Sequence, residues 1–318
     1  MTRLLVTGAT GYIGSAVVRQ ALAADYQVYA LTRSEKAATK LTTLGAIPVI
    51  GDLLVPGSWQ EDANASEVVI HLAQPETYGA RVTTKRALHF RDQRLQIDTH
   101  LFQSLHPETT RRIVYVGGTS YYGDQGTELR TEDTRPNPKG WGPYIAPAIE
   151  ALPDFAQQGL PIIEAFPGWV YGPGSWFAEY QLEPLYTGKR VMGLTGRSRI
   201  ASPVHLEDCA RALLFLLEHG EEGSRFFIVD DCPVPGNRTV ECSARALGVP
   251  LRMRRLPEWL CRIALGPIIT ESLTCDVRLS NSRIRALGFT FDFPTIEEGI
   301  PDVVKHWLAI RQKTSHQL

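Results

Sequence analysis

Val6-Thr7-Gly8-Ala9-Thr10-Gly11-Tyr12-Ile13-Gly14 is the stretch that decides the fold. Three glycines stand three residues apart, directly after a β-branched run and directly before a stretch with helical spacing. One glycine permits a tight turn, one lets backbone N–H groups approach a pyrophosphate, and one lets the helix pack on the strand. The N-terminus of that helix directs partial positive charge at a bound phosphate. A glycine triplet alone is weak evidence, but at residue 8, between a strand and a helix, it points to a dinucleotide. A tight strand–helix turn without a ligand is the alternative.

Working outward, short apolar runs at 3–7, 27–31, 47–50, 68–72, 112–116 and 161–166 alternate with helical spacing at 15–24, 36–44 and 83–105. This alternation predicts an α/β fold: a Rossmann-type, doubly wound parallel sheet covered on both faces, with ligands at the carboxyl ends of its strands. The regularity breaks near residue 170, at the turn cluster Tyr171-Gly172-Pro173-Gly174. Aromatics, glycines and arginines mix over 176–199. Helical spacing returns at 204–218, a buried strand follows at 225–229, and the rest, to about 310, reads as short helices joined by Pro and Gly breaks. We therefore expect a dinucleotide-binding domain at 1–173 that also takes in about 201–230, and a smaller C-terminal substrate lobe from 174–200 and 231–318. Residues 313–318 are expected to fray.

Composition narrows the function. Of 318 residues, 43% are hydrophobic and 21% charged, which excludes a disordered chain. Lys+Arg is 33 against 34 Asp+Glu, so a nucleic-acid-binding surface is not expected. The five cysteines, Cys209, Cys232, Cys242, Cys261 and Cys275, form no Cys-x-x-Cys pair and do not cluster with the eight histidines. Neither a disulfide framework nor a metal site is expected, and the thiols read as reduced, in a cytoplasmic protein. No apolar run has the length of a membrane span, and the first one is too short for a signal peptide. The expected partner is a small-molecule substrate.

These residues resemble the short-chain dehydrogenase/reductase superfamily in its extended or atypical, NAD-dependent epimerase/dehydratase-like branch. Six landmarks occur in order: the glycine loop; Gly51-Asp52-Leu53; His71-Leu72-Ala73; Glu132 and Asp133 ahead of Pro136 and Pro138; the run from Pro167-Gly168-Trp169-Val170 to Gly174; and Val204-His205-Leu206-Glu207-Asp208. The resemblance implies that Gly8, Thr10, Gly11, Tyr12, Ile13 and Gly14 hold the pyrophosphate. It puts Asp52 and Leu53 at the adenine, Leu72 and Ala73 beside the loop, and Pro167, Trp169 and Val170 on the nicotinamide side. Relatives often pair through two helices of the sheet domain, so a homodimer fits the resemblance.

An acidic residue after the second strand would favour NAD. Here that strand ends Ala30-Leu31-Thr32-Arg33-Ser34. Arg33 and Ser34 suit a 2′-phosphate, with arginine giving a forked, charge-assisted contact, and so favour NADP over NAD. Lys36 is a weaker helper, and a solvated Arg33 would leave NAD open.

The superfamily's reaction uses a Ser/Thr hydroxyl, a Tyr that exchanges a proton with the substrate oxygen, and a Lys that lowers the Tyr pKa. Tyr144 fits the tyrosine place, but Ala148 stands where the Lys should be and Pro147 precedes it. The hydroxyl place falls on Gly118, with Thr119 and Ser120 next in the chain. Tyr144 is therefore the expected acid–base, also touching the cofactor, helped by Thr119 or Ser120. Lys139 is an outside candidate for the missing charge.

His71 and His205 read as structural before catalytic. Trp169, Trp176, Phe177 and Tyr180 serve equally as a pocket for a ring or as lobe core. Arg197, Arg199, Arg252, Arg254 and Arg255 suit either an anionic substrate or a solvated face, and Cys209 reads as a small buried apolar residue. Two functions follow. One is an NAD(P)-dependent oxidoreductase or epimerase/dehydratase-like enzyme with non-standard catalytic residues. The other is an NADP-binding sensor or scaffold without redox turnover. Non-redox chemistry on the same fold lies between them.

Overall fold

A computed structural model describes residues 1–76, 81–124, 126–196 and 199–315. Its frame is seven parallel strands: β1 (Arg3–Thr7), β2 (Gln27–Thr32), β3 (Ile47–Ile50), β4 (Val68–His71), β5 (Arg112–Val116), β6 (Ile162–Pro167) and, after four short strands of the second half, β11 (Arg225–Ile228). The order across the sheet is β11-β6-β5-β4-β1-β2-β3. The chain runs outward from β1 to β3 and returns to the other side of β1 with β4. The crevice between the β1 and β4 carboxyl ends is thus the switch point where such sheets bind ligands.

Alternation along each strand sorts the core into two layers. Leu4 and Val6 face a layer with α1 (Tyr12–Ala23), α2 (Glu35–Leu44) and α8 (Leu206–His219), whereas Leu5 faces one with α3 (Trp59–Asn64), α4 (Thr84–Ser104), α5 (Gly142–Glu150) and α6 (Leu152–Gln157). Local signals set the helix ends. The Ser34 hydroxyl accepts the Ala37 N–H at the start of α2, and Gly45, at φ 96°, closes it. Thr83 caps α4 by accepting the Arg86 N–H.

β7 (Trp169–Tyr171) and β10 (Pro203–His205) lie at the junction, with Val170 and Val204 in the core of the sheet domain, and the second lobe is assembled from short pieces: α7 (Glu183–Tyr186), β8 (Val191–Leu194), β9 (Ile200–Ala201), β12 (Val234–Pro235), α9 (Gly236–Leu247), β13 (Met253–Leu256), α10 (Glu258–Leu265) and α11 (Pro267–Thr274). Three two-stranded ladders, β7 with β10, β8 with β13 and β9 with β12, join them. Several expectations are corrected here. Residues 231–318 do not all belong to the lobe, because Leu279 and the segment from α12 (Ser282–Ala286) through Phe289 and Phe291 complete the core of the sheet domain. The end of the chain is not a series of short helices either, since α13 runs over Ile296–Ser315 and so through part of the tail expected to fray. Pro301 removes one hydrogen bond, but the buried stripe Ile296, Ile300, Val303, Val304 and Trp307 outweighs it. Likewise 204–218 is not all helix: β10 occupies its first residues and α8 starts at Leu206. No helix among the described residues is long and apolar enough to cross a membrane.

Candidate functional site

The glycine loop is a matter of close backbone approach. Gly8 sits at φ +66°, and a Cβ there would lie 2.8 Å from the Leu72 carbonyl carbon and 2.9 Å from the Ala73 nitrogen. A Cβ on Gly14 would collide with the Gly8 carbonyl oxygen. The turn closes through Gly11 N–H to Gly8 O at 2.9 Å, and α1 begins immediately after. No side chain caps α1, and its first turn holds no acidic residue. Its leading N–H groups are therefore free for an anion in a cradle that side chains would fill, which fits a pyrophosphate.

Beneath the loop lies a closed polar network. The Thr7 hydroxyl oxygen accepts the N–H groups of Leu72 at 3.2 Å and Ala73 at 3.1 Å. With both lone pairs taken, its proton goes to His71 Nδ1 at 2.6 Å. His71 is then the Nε2–H tautomer and donates to Asp98 Oδ1 at 2.8 Å. Asp98 Oδ2 accepts the Tyr115 hydroxyl at 2.8 Å and Arg94 Nε at 3.1 Å, and Arg94 Nη2 reaches the Val116 carbonyl. Burial holds His71 below its ordinary value and hence neutral. Burial acts to raise the Asp98 carboxyl, but the Arg94 charge and the bonds from His71 and Tyr115 outweigh it and keep it ionised. His71 is thus a strut between strands, away from the cavity.

Above this floor a cavity of about 2200 Å³ runs from Arg33 and Asp52, past the glycine loop, to Trp169 at the lobe junction. That exceeds the ~300–1,000 Å³ of a single-ligand pocket, leaving room for a dinucleotide and a second molecule. Of the residues expected at the site, Gly8, Thr10, Gly11, Tyr12, Ile13, Gly14, Arg33, Asp52, Leu53, Leu72, Ala73, Thr119, Ser120, Pro167, Trp169 and Val170 line it. Two do not. Ser34 spends its hydroxyl capping α2. Tyr144 is turned away: its ring meets Trp141 edge-on at 6.1 Å and packs with Val82, Ala87, Ile268 and Ile269. The reason is helical phase. Consecutive residues of α5 point about 100° apart. Ile145 is the residue that faces Gly118, 3.1 Å from where a Cβ would stand, so Tyr144 projects to the side.

Other candidates sort cleanly. Trp169 and Trp176 stack at 4.2 Å and 15° and form cavity wall with Tyr180, while Phe177 is lobe core. His205 Nδ1 accepts the Glu207 N–H and so caps α8. Cys209 is fully buried, and burial pushes its thiol up. Arg197 lies outside the described residues, Arg252 and Arg254 are exposed off the cavity, and Arg255 reaches its rim. Lys139 and Arg199 line the wall. Sequence reasoning missed the Asp98–Arg94 pair, whose one available signal was an i,i+4 charge pair within the buried stripe of α4. Among the described residues no group of His, Cys, Asp and Glu is arranged to hold a metal.

The chain is similar to known proteins along most of its length. The model of the NAD dependent epimerase/dehydratase family matches residues 4–229. A 4-hydroxy-2-methyl-3-oxo-4-farnesyl-3,4-dihydroquinoline-1-oxide ketoreductase of Stigmatella aurantiaca is 24% identical over 290 residues, covering 89% of this chain and 85% of that one. A 3-diazoavenalumate denitrifying reductase of a Streptomyces species is 28% identical over 316 residues, covering 94% and 99%. The human epimerase family protein SDR39U1 (isoform 2), solved with NADPH, superposes with a TM-score of 0.79 at 19% identity, covering 96% of this chain and 99% of that chain.

The network under the loop gives a stability prediction. Asp98→Ala strands the buried Arg94 charge and should cost about 3–5 kcal/mol. Urea denaturation measures it, and a loss under about 1 kcal/mol would contradict the network's role.

Proposed function

From the premise that this chain belongs to the NAD dependent epimerase/dehydratase family, we propose that it is an NADP-dependent reductase of small organic carbonyl compounds with an apolar or aromatic body. The observation that carries the reading is the continuous cavity. It joins the glycine cradle to a wall of Phe90, Trp141, Trp169 and Trp176, and Thr119 and Ser120 line it as well. The names of the two curated relatives, a ketoreductase and a denitrifying reductase, favour reduction over epimerisation.

When bound, the nicotinamide group supplies hydride to the carbonyl carbon. This chain's residues do the rest. The loop N–H groups hold the pyrophosphate, and Pro167, Trp169 and Val170 fix the nicotinamide side. The Thr119 and Ser120 hydroxyls hold the substrate oxygen and relay a proton to it from solvent. The apolar wall excludes bulk water and strengthens those bonds. Tyr144 takes no part in this scheme.

For the cofactor choice, Arg33 stands at the adenosine end of the cavity, paired with Glu76 across an exposed contact. Exchanging Glu76 for a 2′-phosphate replaces a weak surface pair with a forked, more highly charged one. A second reading, a dinucleotide-binding sensor without turnover, is favoured by one observation: Tyr144 is off the cavity and Ala148 is buried where a lysine would stand.

Two experiments test these readings. NADPH consumption is followed with a panel of aryl ketones and aldehydes. Turnover is expected, with kcat lowered about 10²-fold by a Thr119→Ala/Ser120→Ala double variant and changed less than about twofold by Tyr144→Phe. Loss of activity in Tyr144→Phe would overturn the site assignment, and tight NADPH binding with no turnover anywhere would favour the sensor. By calorimetry, Arg33→Ala should weaken NADPH about tenfold or more while leaving NADH unchanged. Equal loss for both would contradict NADP recognition.

A further inference from the structure

Arg199 stands out among the cations of this protein. Its backbone is pinned where β9 begins, its carbonyl accepting the Gly236 N–H at 2.9 Å. Its guanidinium lines the cavity, donates from Nη1 to the Ser272 carbonyl at 2.7 Å, and lies 5.5 Å from the centre of the Trp169 ring. Trp169 in turn is backed by Trp176. Among the described residues no carboxylate pairs with Arg199, although Arg19, Arg94, Arg225, Arg283, Arg285 and others each hold one. The nearby Asp276 gives Oδ1 to the Ile200 N–H at 2.7 Å, and Glu271 gives Oε2 to the Gly140 N–H at 2.9 Å.

Arginine does not lose its proton in proteins, so the charge stays. Burial opposes that charge, and the Asp276 charge, the Ser272 carbonyl and the Trp169 ring only partly offset the cost. Lys139 reaches the same wall. Its charge and that of Arg199 both act to lower the Cys275 thiol, but burial, with the Asp124 and Glu271 charges, outweighs them and pushes it up to about 11. Two cations therefore line one end of the cavity, with Asp276 and Glu271 behind them, each giving one oxygen to a backbone N–H. Such a site attracts an anion, and the flanking acids moderate its field to suit a single negative charge.

We propose that Arg199 and Lys139 form a carboxylate-binding subsite, so that the substrate is an aryl or apolar carbonyl compound bearing a carboxylate. The proposal rests on the reductase reading and narrows its substrate class. Arg199 offers two N–H groups in a fork to the carboxylate, with Trp169 holding the guanidinium plane. Lys139 adds a point charge, and the aryl body lies along the apolar wall.

The test is an equilibrium one, so it does not depend on turnover. With NADP⁺ saturating, calorimetry compares phenylpyruvate, benzoylformate and cinnamate with their methyl esters. The wild-type protein should bind at least one acid ten or more times tighter than its ester. Arg199→Gln should erase that preference while NADPH affinity stays within about twofold, and Lys139→Ala should reduce it several-fold. Arg199→Lys should restore part of it. If no acid outbinds its ester, the subsite is refuted; the same holds if Arg199→Gln leaves the preference intact. Turnover of neutral ketones alone would refute it while upholding the reductase, whereas acid preference without turnover would uphold the subsite and refute the reductase.

Discussion

Two backbones that touch where no side chain can stand set the geometry of this molecule. The start of α1 rides on the Gly8 carbonyl, and the turn at Gly8 lies against the chain leaving β4. Thr7 fastens that contact with one hydroxyl, which accepts from two consecutive N–H groups of the β4 exit and donates to His71. From there the bonds run through Asp98 to Arg94 and Tyr115, so the carboxyl ends of β1, β4 and β5 and the middle of α4 form one rigid unit. Buried ions cost several kcal/mol each unless paired and hydrogen-bonded. Here Asp98 is met by a cation, a phenol and a neutral imidazole. The floor is secured by electrostatics that leave no charge for chemistry, and the chemistry is built on top of it.

The two ends of the cavity are made differently. The end at the glycine loop is mostly backbone: N–H groups, glycines and the first turn of a helix. The far end is lined by larger side chains, among them Trp169, Trp176, Lys139 and Arg199. Backbone recognition suits a ligand common to a family, and side-chain recognition suits a ligand particular to one member. Tyr144 belongs to neither end. It has become part of the packing between α5 and α11, and the hydroxyls of Thr119 and Ser120 remain at the junction.

What could be read from sequence follows the range of each interaction. Gly8 and Gly14 announce themselves because only glycine satisfies their contacts. The sheet strands are legible within a residue or two because each is a local apolar run. Tyr144 was misplaced because a motif fixes the residue type, whereas the direction of the side chain depends on where α5 starts and which face packs. The short C-terminal helices read from Pro and Gly breaks give way to one long α13, because tertiary burial overrides Pro301. The partnership of His71 with Asp98 spans 27 residues and leaves no local trace. Arg199 was visible as one of five arginines, but only the fold shows that it, and not Arg252 or Arg254, lines the cavity, paired with no carboxylate among the described residues.

The most direct measurement is a crystal structure of the protein grown with NADPH. The account predicts the pyrophosphate against the loop at residues 8–13, the adenosine end beside Arg33, and the nicotinamide ring between Ser120 and Trp169. A dinucleotide found elsewhere, or a protein that cannot be saturated with it at millimolar concentration, would contradict the account at its root.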